Sequence, residues 1–122
     1  QVIRRTRVYR DAHGLVAHST SWIPHEFAQA VPELLRSERL PGGTSLDLIA
    51  RATGRRAAVR EHTTAARLAT AEDLELLELE PGTEAAILVL TSTFHDAQGR
   101  PLEYGVDLGA PGRTRYDTSD VA

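Results

Sequence analysis

The strongest constraint on this chain is a weak internal repeat. Val8-Tyr9-Arg10-Asp11-Ala12-His13-Gly14-Leu15-Val16 aligns with Thr93-Phe94-His95-Asp96-Ala97-Gln98-Gly99-Arg100-Pro101 at an offset of 85 residues. Each copy reads as an extended run, an Asp-Ala-X-Gly turn and a second extended run. Glycine supplies the positive φ that such turns need, and aspartate can bond its own turn backbone. The pattern predicts two β-hairpins, residues 2–9 with 15–22 and 85–94 with 101–108.

Between the hairpins the signals turn helical. Segment 25–37 predicts one or two short helices broken near Pro32. After Pro41-Gly42-Gly43, Thr44 or Ser45 can cap a helix running to about Thr53, with Leu46, Ile49, Ala50 and Thr53 inward and Gly54 as its stop. Segment 56–68 reads as a strand. Thr70, with Asp73 three residues on, opens a further helix in a capping-box arrangement, and Glu80-Pro81-Gly82 ends it. Two hairpins with helices between them predict one α+β domain over residues 1–122, with a mainly antiparallel sheet and flanking helices.

Composition narrows the function. The net charge is −3, and all 14 basic residues are arginines scattered along the chain. A free-standing DNA reader concentrates its basic residues on one face, so nucleic acid would be reached only through another domain. With no cysteine, disulfides, thiolate metal sites and cysteine nucleophiles are excluded. No apolar run approaches the roughly 20 residues of a membrane span, and no leader opens the chain, so a cytoplasmic protein is expected. The chain lacks an initiator methionine and opens within a strand-like run, as a fragment of a longer protein would.

Catalytic signatures are missing. There is no Gly-X-Ser-X-Gly elbow. The five histidines, 13, 18, 25, 62 and 95, form neither His-X3-His nor His-Glu-X-X-His, and no phosphate-binding glycine loop occurs. No metal, cofactor or catalytic residue is therefore expected. Glu72 to Glu80 reads as the solvated face of its helix, and Trp22 as a core or interface residue.

One constellation points to a small anion. Arg5 and Arg7, two apart on a strand, share a face. Their repeat counterparts are Leu90 and Ser92, so the hairpin architecture does not require a basic pair. Gly42-Gly43-Thr44-Ser45 leads into a helix whose free N–H groups and positive end suit a phosphate or carboxylate. Two arginine forks could hold the same anion from the other side.

Several short motifs, in order, resemble the UTRA domain (UbiC transcription regulator-associated), the effector-binding half of HutC-type GntR regulators. They are Arg5-Thr6-Arg7-Val8-Tyr9, Ser21-Trp22-Ile23-Pro24, Thr44-Ser45-Leu46, Ala66-Arg67-Leu68-Ala69, Leu79-Glu80-Pro81-Gly82 and Asp96-Ala97-Gln98-Gly99-Arg100-Pro101-Leu102-Glu103-Tyr104. The resemblance implies a chorismate-lyase-like fold used for sensing, a homodimer, and a small anionic metabolite as partner, with DNA contacted through a winged helix-turn-helix domain outside this chain. It also implies that the domain's first strands precede Val2. In phosphosugar-sensing relatives the Arg-X-Arg pair and the serine at the helix start hold phosphate, and the Glu before Tyr reaches the sugar. Here those are Arg5, Arg7, Ser45 and Glu103. Thr44 joins the anion subsite, and Ser19 faces the ligand's polar body with Glu103.

Three departures stand out. Ser19 replaces a common glutamate, Asp47 replaces the tyrosine after Ser-Leu, and residues 108–116 blur the usual ending. Two rival readings follow: a small lyase or isomerase pairing Glu103 with His18 or His62, and a ligand-free dimerisation module.

Overall fold

The computed structural model describes residues 1–114. Part of the blurred ending, residues 115–116, lies outside them. Five strands form one wholly antiparallel sheet: β1 (Val2–Asp11), β2 (Gly14–Pro24), β3 (Val59–Leu68), β4 (Ala86–His95) and β5 (Pro101–Gly109), in the spatial order β1-β2-β5-β4-β3. Both expected hairpins are present, and they join through their second strands, with Ala17 opposite Gly109 and Trp22 opposite Tyr104.

The repeat extends to irregularities. The register shifts between Tyr9 and Arg10 in one hairpin and between Phe94 and His95 in the other, again 85 residues apart. In both turns the aspartate accepts the N–H two residues on: His13 N–H to Asp11 at 2.8 Å, Gln98 N–H to Asp96 at 3.0 Å. The second turn is longer, because its ladder closes at His95–Pro101 whereas the first closes at Asp11–Gly14. That extra length lets Asp96 also accept the Arg100 N–H at 2.9 Å.

The helices differ from the sequence expectation in detail. Segment 25–37 forms two 3-10 turns, His25–Ala28 and Pro32–Leu35, with Pro32 opening the second, where its missing N–H costs nothing. Helix α1 (Ser45–Thr53) has Thr44 as its cap and Gly54, at φ 76°, as its stop. Its buried residues are Leu48, Ile49 and Ala50; Thr53 is exposed, with its hydroxyl bonded back to the Ile49 carbonyl. Helix α2 (Ala71–Leu76) is shorter than expected because Glu78 takes a left-handed φ of 60°. The Glu72–Glu80 stretch is not uniformly solvated either. Asp73 is buried, closing the capping box with Thr70 and pairing with Arg67.

The two helices cover opposite faces. Ile3, Ile23, Phe27, Val31, Leu34, Leu48 and Ile49 form the larger core, beneath α1 and the 3-10 turns. Leu77, Ile87 and Leu108 form the smaller one under α2. Arg55, just past α1, locks the larger core. Its guanidinium bonds Asp96 at 2.9 Å and Glu26 at 2.5 Å while lying 4.8 Å from the centre of the Phe27 ring. No helix is long and apolar enough to cross a membrane among the described residues.

Two stability predictions follow from this packing. Ile23 is fully buried, so Ile23→Ala should cost about 3 kcal/mol, read as a lower denaturation midpoint with an unchanged slope. Asp96, at 2% exposure, is held below the usual carboxylate range by the Arg100 N–H first, then by Arg55 and the Gln98 N–H, against its burial. A carboxylate with a depressed folded pKa stabilises the protein above its unfolded value of about 3.9, and that contribution is lost as pH falls through the folded value. Asp96→Asn should therefore lower Tm at pH 7 and flatten its decline between about pH 5 and pH 2.

Candidate functional site

Directly paired residues share a sheet face, so the registers define rows across it. One row runs Arg5, Ser21, Gly105, Ser92, His62; the next runs Arg7, Ser19, Asp107, Leu90, Thr64. Glu103, two residues before Gly105 on β5, lies on this same face. The face is the one covered at one end by α1. Arg5, Arg7, Ser19 and Glu103, drawn from three strands, thus project to one side, and α1 brings Ser45 onto Glu103.

Contacts there are specific. Glu103 accepts a hydrogen bond from the Ser45 hydroxyl, at the first residue of α1, and one from the Ser21 hydroxyl at 3.3 Å. Ser19 donates to Asp107. Ser92 Oγ and His62 Nδ1 lie 2.8 Å apart. Gly105 sits in the centre of this polar row, and a Cβ there would meet only ordinary contacts, 3.8 Å to the Thr20 carbonyl oxygen and 3.9 Å to Ser21 Oγ. With no side chain at Gly105, β5 raises nothing above the sheet at this point, and a larger residue would fit there.

The helix start is partly committed. Thr44 accepts the Asp47 N–H at 3.2 Å and donates its own N–H to the Asp47 carboxylate at 3.0 Å. These bonds hold the Asp47 carboxyl below its usual range. The Asp47 carboxylate also explains Gly43: at φ 137° a side chain would be strained, and a Cβ would come within 2.7 Å of Asp47 Oδ2. Thr44 and Asp47 thus fill part of the helix end, while the first-turn N–H groups of Ser45 and Leu46 have no intrahelical acceptor.

The two arginines have different situations. Arg5 donates to four main-chain carbonyls, those of Glu33 at 3.3 Å, Leu34 at 3.1 Å, Arg36 at 2.6 Å and Glu38 at 3.0 Å. Burial, with the charge of Arg7 next, lowers the Arg5 pKa. Arg7 is exposed, lies 5.8 Å from the centre of the Tyr9 ring, and has no ion-pair partner among the described residues.

The acid–base pairs considered from sequence are not assembled. His18 pairs with Leu108 and Val8, which puts it on the opposite face from Glu103. His62 shares the face, but β4 lies between β3 and β5, separating their axes by about 10 Å. No group of three metal-ligating side chains is found among the described residues. Ser21, Ser92 and Asp107 share this face and were not singled out as site residues from sequence. The alternation Glu103, Gly105, Asp107 was the signal available for the last.

The UTRA domain family model matches residues 1–114. No curated protein matches the chain. Among solved structures it is similar to a GntR-family transcriptional regulator from Enterococcus faecalis V583, at 20% identity and TM-score 0.74, covering 98% of this chain and 81% of that one. It is also similar to the C-terminal domain of Yurk from Bacillus subtilis, at 12% identity and TM-score 0.71, covering 92% and 73%. The effector domain of PhnF from Mycobacterium smegmatis matches at 21% identity and TM-score 0.68, covering 99% and 70%. Against intact PhnF the chain spans about half the length, 51%. These likenesses show a shared fold, the chorismate-lyase-like sheet with few helices. With the family model matched along nearly its whole length, this chain belongs to the UTRA domain family.

Proposed function

We propose that this domain senses a small anionic metabolite, a phosphosugar or an organic or amino-acid-derived acid, on the face carrying Arg7, Ser19, Ser45 and Glu103. The observation that carries this reading is the convergence of Ser45 and Ser21 on Glu103 beside Gly105, where β5 raises no side chain. Two serine hydroxyls fix the carboxylate, leaving it lone pairs to accept hydrogen bonds from ligand hydroxyl or ammonium groups. The anionic end of the ligand faces Arg7 and the N–H groups of Ser45 and Leu46. Thr44 shapes this end as the cap, and Arg5 joins it only by leaving its carbonyl partners. The domain performs no catalysis in this reading.

The domain works as a homodimer of the HutC kind in the cytoplasm, acting with a winged helix-turn-helix DNA reader. The printed names of its structural relatives, a GntR-family transcriptional regulator and an effector domain, support the link to a DNA reader. Binding shifts the population between two arrangements of the paired readers. Such a switch requires the effector to favour one arrangement, typically by about 1–3 kcal/mol.

A thermal-shift screen against sugar phosphates, sugar acids and amino-acid-derived acids tests the reading. A ligand at about 100 times its Kd should add roughly 2.7 kcal/mol of stability. Arg7→Ala should weaken the hit at least tenfold without moving the ligand-free Tm, whereas Arg5→Ala should lower that Tm by releasing four carbonyls. A hit of undiminished affinity in Arg7→Ala would put the pocket elsewhere, and conversion of the bound acid would establish an enzyme. Independently, Gly105→Ile should keep the fold, since isoleucine suits a strand and its Cβ meets no clash, yet abolish binding by filling the space over the sheet. Isothermal titration of that variant reads the outcome directly.

A further inference from the structure

The opposite face of the sheet carries a second cavity, of about 640 Å³, between β1, β2, β5 and α2. Its lining includes Arg4, His18, Thr20, Trp22, Leu76 and Val106. Arg4 pairs with Trp22 and Thr6 with Thr20 across β1 and β2, one residue out of step with Arg5 and Arg7, so the two sites stand back to back through the sheet. No residue named for the first site lines this one.

Three features mark it as a built site. His18 is only 8% exposed and lines the cavity, yet its ring has no hydrogen-bond or ion-pair partner among the described residues. No fully buried side-chain nitrogen lacks a partner among the described residues, so the ring nitrogens of His18 open to the cavity, where a ligand can meet them. Arg4 is exposed and likewise has no ion-pair partner among the described residues. Trp22, beside Arg4 in the ladder, packs its ring on Tyr104 at 5.6 Å between centroids, presenting an aromatic wall next to the free guanidinium.

The charges select the ligand. One free cation stands at the β1 side. On the α2 side stand Glu72 and Asp73, with Asp73 already bound by Arg67 and the Thr70 N–H. Arg67 lines the cavity too but is engaged by Asp73, so a dianion such as a phosphate monoester would meet one unpaired arginine opposite the carboxylate of Glu72. A monoanion with an apolar body fits better: its carboxylate on Arg4, its body on Trp22, Leu76 and Val106, with His18 and Thr20 as hydrogen-bonding partners. We propose that this cavity is a second ligand site, for a small carboxylic acid with an aromatic or branched aliphatic body, separate from the anion site on the other face.

Trp22 is the only tryptophan of the chain and lies in the cavity wall, so its fluorescence reports occupancy. Phenylacetate and 4-methylvalerate are titrated into the 122-residue chain, with phenethylamine as the cationic control. The expected result is a saturable change with at least one acid and none with the amine. Arg4→Gln should weaken it at least tenfold and His18→Leu at least threefold, while Arg7→Gln leaves it unaltered. Circular dichroism checks that each variant is folded, and neither Arg4 nor His18 contributes a side-chain bond whose loss would unfold the domain. Overturning results are saturation by neither acid, unchanged affinity in Arg4→Gln or His18→Leu, or loss in Arg7→Gln. A Trp22 spectrum that changes with protein concentration alone would also overturn the proposal, because a second copy would then cover the cavity.

Discussion

The ladder between β2 and β5 is the interaction on which the rest of this domain depends. Each hairpin alone has one strand pair, and an isolated two-stranded hairpin is marginal in water. Joining them through residues 17–22 and 104–109 makes a four-stranded unit, which β3 extends to five. The same ladder assembles the chemistry. Ser19 meets Asp107, Ser21 meets Glu103, and Trp22 meets Tyr104, pairs separated by more than 80 residues in the chain. Loss of this pairing would leave the hairpins with correct turns and no site.

The sheet is then used on both sides. The helix starts obey one rule twice, a threonine cap reciprocated by an aspartate three residues on, at Thr44–Asp47 and Thr70–Asp73. Their outcomes differ because of what lies nearby. Asp47 stays at the surface and answers only its cap. Asp73 is buried and gains Arg67, so the second box ties the end of β3 to α2. With α1 over one face and α2 over the other, each side keeps a partly open polar area beside its own core.

Arg5 shows why local sequence can place a side chain on a face without giving its partners. Its spacing from Arg7 places both on one face, and the register confirms that geometry. Spacing carries no information about the segment 33–38, which loops back to offer four carbonyls to one guanidinium. An arginine fork donates equally well to carboxylates, phosphates and main-chain oxygens, and only the path of the chain decides which is present. The neighbouring arginine, with no segment folded against it, keeps its charge available.

The sequence by itself determined the local structure. Both hairpins, their aspartate turns, the Thr70–Asp73 capping box and the glycine stop at Gly54 are set by bonds within a few residues, so composition and period suffice to read them. The resemblance of its motifs to the UTRA domain pointed to Arg5, Arg7, Ser19, Thr44, Ser45 and Glu103 as one polar set. Tertiary structure decided the strand order, the approach of Arg55 to Asp96, the burial of Asp73, and the separation of His18 from Glu103. Those depend on which strand pairs with which and in what register. A slip of one residue moves every side chain to the other face, and no signal inside a single strand fixes that choice.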